Sequence, residues 1–295
     1  MRFGLVGTGW WARTVHGRAL ADSPEVELVG VWGRDTARTA AAALELGTRP
    51  YDRIEDLVTD VQGLAFAVPP DVQAAIAVGA AQAGRHLLLE KPVATSLEAA
   101  RRLADAASSS GIATVVFLTL RFRPAIRAWL ADCAGRDWSG GAARMFGAAF
   151  APGSPFDTPW RHEKGGLWDV GPHVLSVLVP TLGPVRSVRC AAAGAGDAVH
   201  LVLEHDSGAT STASLSIAAA PAAVHTEVAL WGPPGCTVMP PAEGSAAAAS
   251  ALALHELVEV ASGARQRQPC NVQFGTSIVR VLAEAERQLG RAATS

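Results

Sequence analysis

Three side chains that could move a proton stand out in the sequence, namely Lys91, Asp169 and His173. Asp169 and His173 lie four positions apart and follow a pair of glycines. If a helix begins near Leu167, residues four apart share one face, so the carboxylate and the imidazole point into one space. A carboxylate beside a histidine in a cleft suits proton transfer at a hydroxyl or carbonyl group.

The residues around Asp169 limit where that helix begins. Pro172 is tolerated in a first turn, which places Asp169 near the positive end of the helix, where an ionised carboxylate is favoured. Gly165 and Gly166 carry no side chain and allow a flat ligand to approach the backbone. A glycine turn followed by a buried helix start explains the same residues without chemistry, so this stretch alone does not decide the function.

Lysine is almost absent from the chain. Of 25 basic residues, only Lys91 and Lys164 are lysines. A lysine can lose its proton when it is desolvated, whereas an arginine effectively cannot. Lys91 is therefore a candidate for proton chemistry, and Lys164 has no evident role.

Length and composition narrow the class of protein. A chain of 295 residues is long enough for two domains, and 49% hydrophobic residues can fill two cores. The net charge of −2 without a run of lysine or arginine argues against a nucleic-acid partner. The chain lacks an apolar run of about 18 residues, so no membrane span is expected. The first strand begins directly after Met1, and we expect a cytoplasmic protein.

The four cysteines are scattered along the sequence. They lack the Cys-x-x-Cys spacing of a metal site and predict small buried apolar side chains in a reducing compartment. No cluster of residues predicts a metal ion. The cysteines are Cys133, Cys190, Cys236 and Cys270.

The candidate residues need elements that position them, and the first part of the chain alternates strands with helices. This alternation predicts βαβ units on a parallel sheet, in a dinucleotide-binding domain over residues 1–120. The predicted strands are Arg2–Val6, Val26–Trp32, Gly63–Val68, His86–Leu89 and Ile112–Leu118. The predicted helices are Trp11–Ala21, Thr36–Leu46, Val72–Ala83 and Leu97–Ser108.

Beyond residue 120 the pattern changes to consecutive strands with short turns. These predict an antiparallel sheet covered by helices, in a second domain over residues 121–295. The predicted strands are Arg144–Phe150, Val185–Ala192, Val199–Glu204, Thr210–Ile217 and His225–Trp231, and a last helix covers Thr276–Gly290. The alanine-rich stretch 242–254 fits either a loop or a helix.

The first strand leads into Gly7-Thr8-Gly9-Trp10-Trp11-Ala12, a G-x-G-x-x-A pattern between a strand and a helix. The glycines allow a tight turn and let backbone N–H groups meet a pyrophosphate at the helix N-terminus. We therefore predict a dinucleotide site that includes Gly7, Thr8, Gly9, Trp10 and Trp11.

The end of the second strand bears on which dinucleotide is bound. An acid there binds the ribose 2′-hydroxyl of NAD, whereas an arginine accommodates the 2′-phosphate of NADP. The strand ends in Gly33-Arg34-Asp35, where Gly33 leaves room and Arg34 can face a phosphate. Asp35 suits the N-cap of the next helix. This pattern favours NADP and leaves NAD open.

Glu90-Lys91-Pro92 follows the strand that begins at His86. Ligands of such sheets bind outside the carboxyl ends of the strands, which places Glu90 and Lys91 at the expected nicotinamide. A surface ion pair is the alternative, and Pro92 argues against it because it fixes the local backbone.

These motifs in order resemble the Gfo/Idh/MocA family of oxidoreductases (glucose–fructose oxidoreductase, inositol dehydrogenase and rhizopine catabolism proteins). The resemblance covers most of the chain and implies a Rossmann domain followed by an α/β domain with an open, mostly antiparallel sheet. That sheet commonly joins subunits, which implies a homodimer or homotetramer. The motifs are the glycine loop, Pro69-Pro70, Glu90-Lys91-Pro92, Arg121-Phe122-Arg123-Pro124, Trp160-Arg161 and Gly165 to His173.

The resemblance also implies roles for individual residues. Lys91 would hold or protonate the substrate oxygen, His173 would be the main acid/base, and Asp169 would orient the substrate or tune His173. Glu90 would contact the nicotinamide ribose. The remaining implied cofactor residues are Val68, Pro69, Pro70, Gln73, Pro92 and Arg121, and the implied substrate residues are Trp160, Arg161 and His162.

The chain departs from the family pattern at four positions. Gly33 replaces an acid at the second strand, which supports NADP, and Gln73 replaces a histidine but can still form hydrogen bonds. Ser176 replaces a residue that is often acidic, and Tyr51 is the only tyrosine of a chain without the usual pocket tyrosines. These changes leave the chemistry intact and put the usual sugar specificity in doubt.

Other polar residues have simpler explanations. His162 lies in a polar loop and suits a solvated position, and Arg121 could support the cofactor or join the domains. We interpret the other histidines as structural, namely His16, His86, His200, His205, His225 and His255.

The sequence therefore predicts an NAD(P)-dependent oxidoreductase that acts on a sugar, a cyclic polyol or a sugar derivative. Three alternatives remain open. One is a ketoreductase for a nucleotide-linked deoxysugar in natural-product synthesis. Another is a glycoside-cleaving relative that keeps its cofactor bound. The third is a non-catalytic dinucleotide-binding regulator, which would not need Lys91, Asp169 and His173 together.

Overall fold

The computed structural model describes residues 1–192 and 196–292 and divides the chain into two compact units. The first unit contains Met1–Phe122 and Gly244–Ser277, and the second contains Arg123–Glu243 and Ile278–Ser295. The predicted boundary near residue 120 thus corresponds to a unit boundary, but Gly244–Ser277 lies in the first unit instead of the second.

Six strands form the sheet of the first unit, and helices connect them. The strands are β1 (Arg2–Val6), β2 (Glu27–Trp32), β3 (Arg49–Tyr51), β4 (Gly63–Phe66), β5 (His86–Leu89) and β6 (Thr114–Val116). The helices are α1 (Arg18–Ala21), which continues a π-helical turn at Ala12–Gly17, α2 (Thr36–Glu45), α3 (Ile54–Asp60), α4 (Pro70–Gln82) and α5 (Leu97–Ser109), followed by a 3-10 turn at Thr119–Phe122.

The strands of the first sheet are parallel and lie in the order β3-β2-β1-β4-β5-β6. This is the strand order of a Rossmann fold. Strands β2 and β3 lie on one side of β1, and β4, β5 and β6 lie on the other side. The apolar residues of β1 and β4, such as Leu5 and Phe66, are fully buried, as expected when helices cover both faces of a parallel sheet. The predicted parallel βαβ sheet is confirmed.

Sequence analysis missed β3 and α3. β3 has three residues, Arg-Pro-Tyr, and its proline removes a backbone donor and the usual strand signal. It is nevertheless an edge strand, where a missing donor is tolerated.

The second unit contains six strands and helices that cover them. The strands are β7 (Gly140–Phe146), β8 (Val185–Ala192), β9 (Val199–His205), β10 (Thr210–Ser216), β11 (His225–Gly232) and β12 (Gly235–Val238). Its helices are α6 (Pro124–Cys133), α7 (Pro159–Asp169) and α8 (Gly171–Leu182), with a short 3-10 turn at Pro221–Ala223. Helix α9 (Ala246–Ala261) belongs to the first unit, and α10 (Val272–Ala292) begins in the first unit and ends in the second.

The order of the second sheet is β12-β11-β7-β10-β9-β8. Only the β7–β10 pair is parallel, so the predicted mostly antiparallel sheet is confirmed. The first strand of this sheet was predicted at 144–150, but β7 begins at Gly140. A Cβ at Gly140 would lie 2.8 Å from the Trp231 side chain, so this glycine serves close strand packing within the sheet.

One open alternative is settled and one expectation is corrected. In the alanine-rich stretch 242–254, helix α9 begins at Ala246 and buries Ala249, Ala253 and Leu254. Cys133 and Cys270 are buried as predicted, whereas Cys236 is exposed because it lies on the edge strand β12. The side chain of Cys190 lies outside the described part of the structure.

Candidate functional sites

The glycine loop follows β1 in a conformation that needs Gly7. Its φ is +130°, and a Cβ there would lie 2.4 Å from the Ala67 carbonyl oxygen. Gly9 differs, since a Cβ would meet no atom within 4 Å. The loop therefore packs tightly against the β4 end at Gly7 and leaves open space at Gly9, which suits a pyrophosphate near the backbone. The Trp10 side chain remains 45% exposed.

The end of β2 packs directly on this loop. A Cβ at Gly33 would lie 2.6 Å from the Thr8 methyl group, so glycine permits the two segments to approach. Arg34 is exposed, and Asp35 caps α2 by accepting a hydrogen bond from the Arg38 amide at 3.0 Å. The predicted capping role of Asp35 is confirmed. Arg38, a second exposed cation in the first turn of α2, was missed.

The segment after β4 contains Val68, Pro69 and Pro70, with Pro70 as the first residue of α4. Gln73 on this helix is fully buried and contacts the protein itself. Its side-chain amide donates to the Glu90 carbonyl at 2.8 Å and accepts from the Glu90 amide at 2.8 Å. Gln73, predicted as a cofactor residue, thus fixes the backbone of the turn that contains Lys91.

Glu90-Lys91-Pro92 lies at the carboxyl end of β5, and the Lys91–Pro92 peptide bond is cis. The Glu90 side chain is only 12% exposed, which excludes a simple surface ion pair. Its Oε1 accepts from Trp11 Nε1 at 2.5 Å, and its Oε2 accepts from the Lys91 amide at 3.1 Å. The family resemblance implies that the Glu90 carboxylate contacts the nicotinamide ribose. In this structure the carboxylate accepts hydrogen bonds from protein donors.

His16 is a further partner of the Glu90 carboxylate, and sequence analysis had interpreted it as a structural residue. Its Nε2 lies 2.8 Å from Glu90 Oε1 and its Nδ1 lies 2.8 Å from the Ser250 hydroxyl of α9. The ring also packs edge-on against Phe117, with centroids 5.0 Å apart. Sequence reasoning missed this contact because residues five apart do not share a face of an α-helix, whereas the π-helical turn at Ala12–Gly17 brings Trp11 and His16 to the same carboxylate.

Arg121 lies near the end of Met1–Phe122, the longer of the two segments that form the first unit. Its guanidinium is 5.8 Å from the Phe274 ring, on the part of α10 that belongs to the same unit. This contact fits a supporting role within the first unit.

In the second unit, Asp169 is the last residue of α7, and His173 lies in the first turn of α8. The non-helical Gly165 divides α7, so a second helical segment begins next to the predicted start near Leu167. Helix α7 begins at Pro159, kinks at Gly165, where φ is +61°, and ends before α8 starts at Gly171. Pro172 lies in the first turn of α8, as predicted. Both side chains are buried, with 7% exposure for Asp169 and 9% for His173.

Asp169 lies just before the N-terminus of α8, as the predicted position near the positive end of a helix requires, and it is also held by a cation. Arg161 Nε donates to Asp169 Oδ2 at 2.9 Å. The Arg161 guanidinium lies 4.7 Å from the Trp160 ring and 5.3 Å from the Phe156 ring. Arg161, predicted as a substrate residue, thus orients Asp169 and is itself oriented by two aromatic rings.

The paired glycines have different roles in the structure, since Gly165 has the positive φ of the kink and Gly166 is closely packed. A Cβ at Gly166 would lie 2.7 Å from the Ser216 Cα of β10. The Asp197 carboxylate accepts hydrogen bonds from the Gly166 and Ile217 amides, both at 2.8 Å. These contacts fix the kink in α7 against the end of β10.

Two more predicted residues have contacts within the second unit. His162 is exposed, stacks on Phe150 with centroids 4.1 Å apart, and lies 2.6 Å from Asp157. Lys164, which had no evident role, forms an ion pair with Glu286 at 3.1 Å.

Within the described residues, no group of three or more His, Cys, Asp or Glu side chains could hold a metal ion. The helices of residues 1–192 and 196–292 include none long and apolar enough to cross a membrane.

The parallel sheet and its glycine loop define a Rossmann dinucleotide-binding domain, which a second sheet domain accompanies. Residues 1–117 match the oxidoreductase family with an NAD-binding Rossmann fold, and residues 139–235 match the GFO/IDH/MocA C-terminal domain. The chain belongs to the Gfo/Idh/MocA oxidoreductase family.

Curated relatives of this chain act on sugars according to their names. D-apiose dehydrogenase of Paraburkholderia graminis is 28% identical over 72% of this chain and 60% of that protein. The dTDP-3,4-didehydro-2,6-dideoxy-alpha-D-glucose 3-reductase of Streptomyces antibioticus is 32% identical over 62% of this chain and 57% of that protein. The matched segments thus span less than two thirds of either relative.

The fold resembles solved structures over nearly the whole chain. GenD2 from gentamicin A biosynthesis, solved in complex with NAD, superposes with a TM-score of 0.86 at 21% identity. The match covers 99% of this chain and 95% of GenD2, and it shows a shared fold.

Proposed function

We propose that this protein is an NAD(P)-dependent oxidoreductase that transfers a hydride between the nicotinamide and a ring carbon of a sugar, cyclic polyol or sugar derivative. The observation that carries the proposal is the position of Lys91. It follows β5 at the carboxyl edge of a Rossmann sheet, where ligands of this fold bind. Family membership and two relatives named as a sugar dehydrogenase and a sugar-nucleotide reductase support the same reaction class.

The glycine loop fits the cofactor. Gly9 leaves open space beside the backbone at the start of the first helix, where N–H groups can bind a pyrophosphate. The residues proposed to hold the cofactor are Gly7 to Trp11, Gly33, Arg34, Val68, Pro69, Pro70 and Arg121. When it is bound, the nicotinamide supplies or accepts the hydride.

The chain supplies the proton. In reduction, the carbonyl carbon gains the hydride and the carbonyl oxygen gains a proton, and oxidation reverses both transfers. We propose that Lys91 and His173 donate or accept this proton, and that Asp169 holds the substrate or His173 in position. Arg161 keeps Asp169 in place through their ion pair. Trp160 and His162 are proposed to line the substrate pocket.

The end of β2 supports NADP over NAD as the cofactor. Gly33 stands where NAD-binding chains of this fold place an acid, and the nearest acid, Asp35, already caps α2. Arg34 and Arg38 are both exposed at this point and offer cationic donors to a 2′-phosphate.

A nucleotide-linked deoxysugar ketoreductase is the second candidate within this reaction class. The relative from Streptomyces antibioticus, whose name gives this activity, is 32% identical over 62% of the chain. In this case the substrate is a keto-sugar nucleotide and the working direction is reduction.

We also propose a homodimer or homotetramer that forms through the second sheet. The exposed face of this sheet carries Val202, Trp231 and Val238, whose exposures are 46%, 41% and 58%. By register, the small residues Thr212, Ala142 and Ala229 lie between Val202 and Val238, which makes this face flat. A flat apolar strip suits a self-complementary contact. Sedimentation of the wild type and of Thr212→Arg tests it, with a smaller species expected for the variant.

The test of the reaction begins with cofactor binding. Titration with NADPH and NADH should quench tryptophan fluorescence, because Trp10 and Trp11 lie in the glycine loop. Absorbance at the nicotinamide band then reports turnover with aldoses, inositols, sugar acids and keto-sugar nucleotides. Binding with no turnover across both directions of the panel would support the regulatory alternative, and binding of neither cofactor would refute the proposal.

A further inference from the structure

The ion pair of Arg161 and Asp169 joins two residues that a straight helix would hold apart. Arg161 Nε donates to Asp169 Oδ2 at 2.9 Å, although the two residues are eight positions apart in α7. An α-helix rises about 1.5 Å per residue, so eight positions separate two residues by about 12 Å along its axis. The side chains that meet on a straight helix are three or four positions apart. The ion pair therefore depends on the bend in α7.

The bend lies at Gly165, between the two partners of the ion pair. The φ of +61° and ψ of −165° of this residue belong to a region of backbone angles that is almost exclusive to glycine. In a continuous helix the Gly166 amide would donate to the carbonyl four residues earlier. In this structure it donates to the Asp197 carboxylate at 2.8 Å. The bend thus directs a helix amide to a side chain outside the helix.

Asp197 uses both of its carboxylate oxygens to join the bend to the end of β10. Oδ2 accepts from the Gly166 and Ile217 amides, both at 2.8 Å. Oδ1 accepts from the Ser216 hydroxyl at 2.6 Å and from the Ala218 amide at 3.2 Å. Hydrogen bonds to an ionised acceptor are stronger than hydrogen bonds between neutral groups. One half-buried side chain therefore fixes the bend against the sheet.

We propose that Asp197 is a positioning residue that sets the bend of α7 and thereby keeps Arg161 on Asp169. Loss of this carboxylate would remove the acceptor of the Gly166 amide and let the two parts of α7 change their angle. The Asp169 carboxylate would then lose the guanidinium that balances its charge. The inference rests on the proposed function only for the role of Asp169 in the reaction.

A direct test follows the ion pair by NMR in the full-length protein and needs no substrate. Arginine labelled with nitrogen-15 gives Nε–H signals, and Arg161→Lys assigns the signal of Arg161. An N–H group that is held in a hydrogen bond exchanges slowly with water. In Asp197→Ala the exchange rate of the Arg161 Nε–H should rise by about 10-fold, which corresponds to one hydrogen bond to a charged group. Asp197→Asn keeps one oxygen for the Gly166 amide and should show a smaller rise.

Two control variants separate the bend from a general loss of stability. Ser216→Ala removes one partner of Asp197 Oδ1 and keeps the bond to Gly166, so the exchange rate should stay near the wild-type value. His205→Asn replaces a buried side chain of β9 and should lower stability without changing the rate. If Asp197→Ala does not fold, Asp197→Asn and Gly165→Ala provide the same measurement. Gly165→Ala alters the bend itself, because alanine does not tolerate these backbone angles.

Turnover provides a readout that a purely structural role would not move. The kcat/KM of Asp197→Ala should fall like that of Arg161→Met and should recover in part at higher pH. The double variant should lose no more than Arg161→Met alone, because both changes break the same ion pair. Additive losses in the double variant would mean that Asp197 acts on another part of the site.

An unchanged Nε–H exchange rate in the folded Asp197 and Gly165 variants would overturn the positioning role. This outcome is distinct from failure of the proposed function. A protein that turns over no substrate would lose the proposed function, while the exchange rate of Arg161 would still show whether Asp197 controls the ion pair.

Discussion

The acids of the two candidate sites are held in different ways. Glu90 in the first unit accepts hydrogen bonds from an indole and an imidazole, whereas Asp169 in the second unit forms an ion pair with an arginine. The Trp11 indole fixes the direction of the Glu90 carboxylate and adds no charge of its own. A guanidinium fixes the direction and balances the charge.

The sources of these partners also differ. Arg161 and Asp169 lie in one helix, eight residues apart, so local structure brings them together. The side-chain partners of Glu90 come from the glycine loop and the first helix, and α9 contacts one of them, His16; these segments are distant from Glu90 in sequence. The arrangement around Asp169 therefore depends on one bent helix and the strand end that holds it, and the arrangement around Glu90 depends on the packing of the whole first unit.

The largest effect should come from Lys91. Lys91→Met is expected to lower kcat by about 10²–10⁴-fold, because it removes a group that transfers the proton. The dissociation constant of the cofactor should hardly change. Stopped-flow turnover and fluorescence titration measure the two quantities. Lys164→Met is the matched control, since Lys164 pairs with Glu286 and should leave kcat unaltered. Equal losses in the two variants would remove Lys91 from the mechanism.

The next largest effect should come from Arg161, whose ion pair holds Asp169. Arg161→Met removes this guanidinium from the buried Asp169 carboxylate, and the loss of an opposite charge favours the neutral form of the acid. We expect kcat/KM to fall by about 10–100-fold, the size of a hydrogen bond to a charged group, with part of the activity returning at higher pH. A pH–rate profile measures this.

The control for Arg161 lies on the second sheet. Arg144 pairs with Glu227 at 2.7 Å, but the Arg144 side chain is 55% exposed, so Arg144→Met should change little. A pH profile of Arg161→Met parallel to the wild type would mean that Asp169 does not depend on this cation.

A smaller effect concerns the cofactor. Arg34→Ala should weaken NADPH binding by about 10-fold, because one charge-assisted contact to the 2′-phosphate is lost. NADH binding should stay the same, since NADH has no phosphate there. Arg38→Ala, compared in the same titration, shows whether the second cation shares this role. Equal losses for both cofactors would argue against a 2′-phosphate site.

The sequence predicted the parallel sheet because alternating strands and helices are a local signal. It also placed Lys91 at the carboxyl edge, since the end of a strand is visible in the sequence. Strand β3 was not predicted because its proline interrupts the usual residue pattern of a strand. The strand that contains Gly140 was predicted to begin at Arg144, and only the neighbouring Trp231 shows why glycine is needed inside this strand.

The contacts around the candidate residues were harder to predict. No local pattern connects His16 with Ser250, because 234 positions separate them and the connection exists only after α9 packs on the first helix. Gly165 and Gly166 were interpreted as room for a ligand, but Ser216 of β10 lies against Gly166. Residue types indicated which chemistry is available, and tertiary packing decides which partner each group receives.

The smallest predicted effect is a loss of stability in mild acid, to which each unit contributes one histidine. Burial lowers the pKa of His205, opposed by its bond to the Gly183 carbonyl, and burial also lowers the pKa of His86. His86 Nδ1 accepts from the Ala113 amide at 3.0 Å, so its neutral form is needed.

Because the folded pKa lies below the ordinary value of 6.5, the unfolded chain binds the proton first as the pH falls. The stabilisation is complete above about pH 6.5 and is lost below it, by at most about 1.4 kcal/mol per pH unit for each histidine. Urea unfolding of the full chain between pH 8 and pH 5 measures this slope. His205→Asn should be less stable at pH 8 and show a shallower slope in the transition of the second unit. An unchanged slope in that variant would mean that other groups cause the acid sensitivity of that unit.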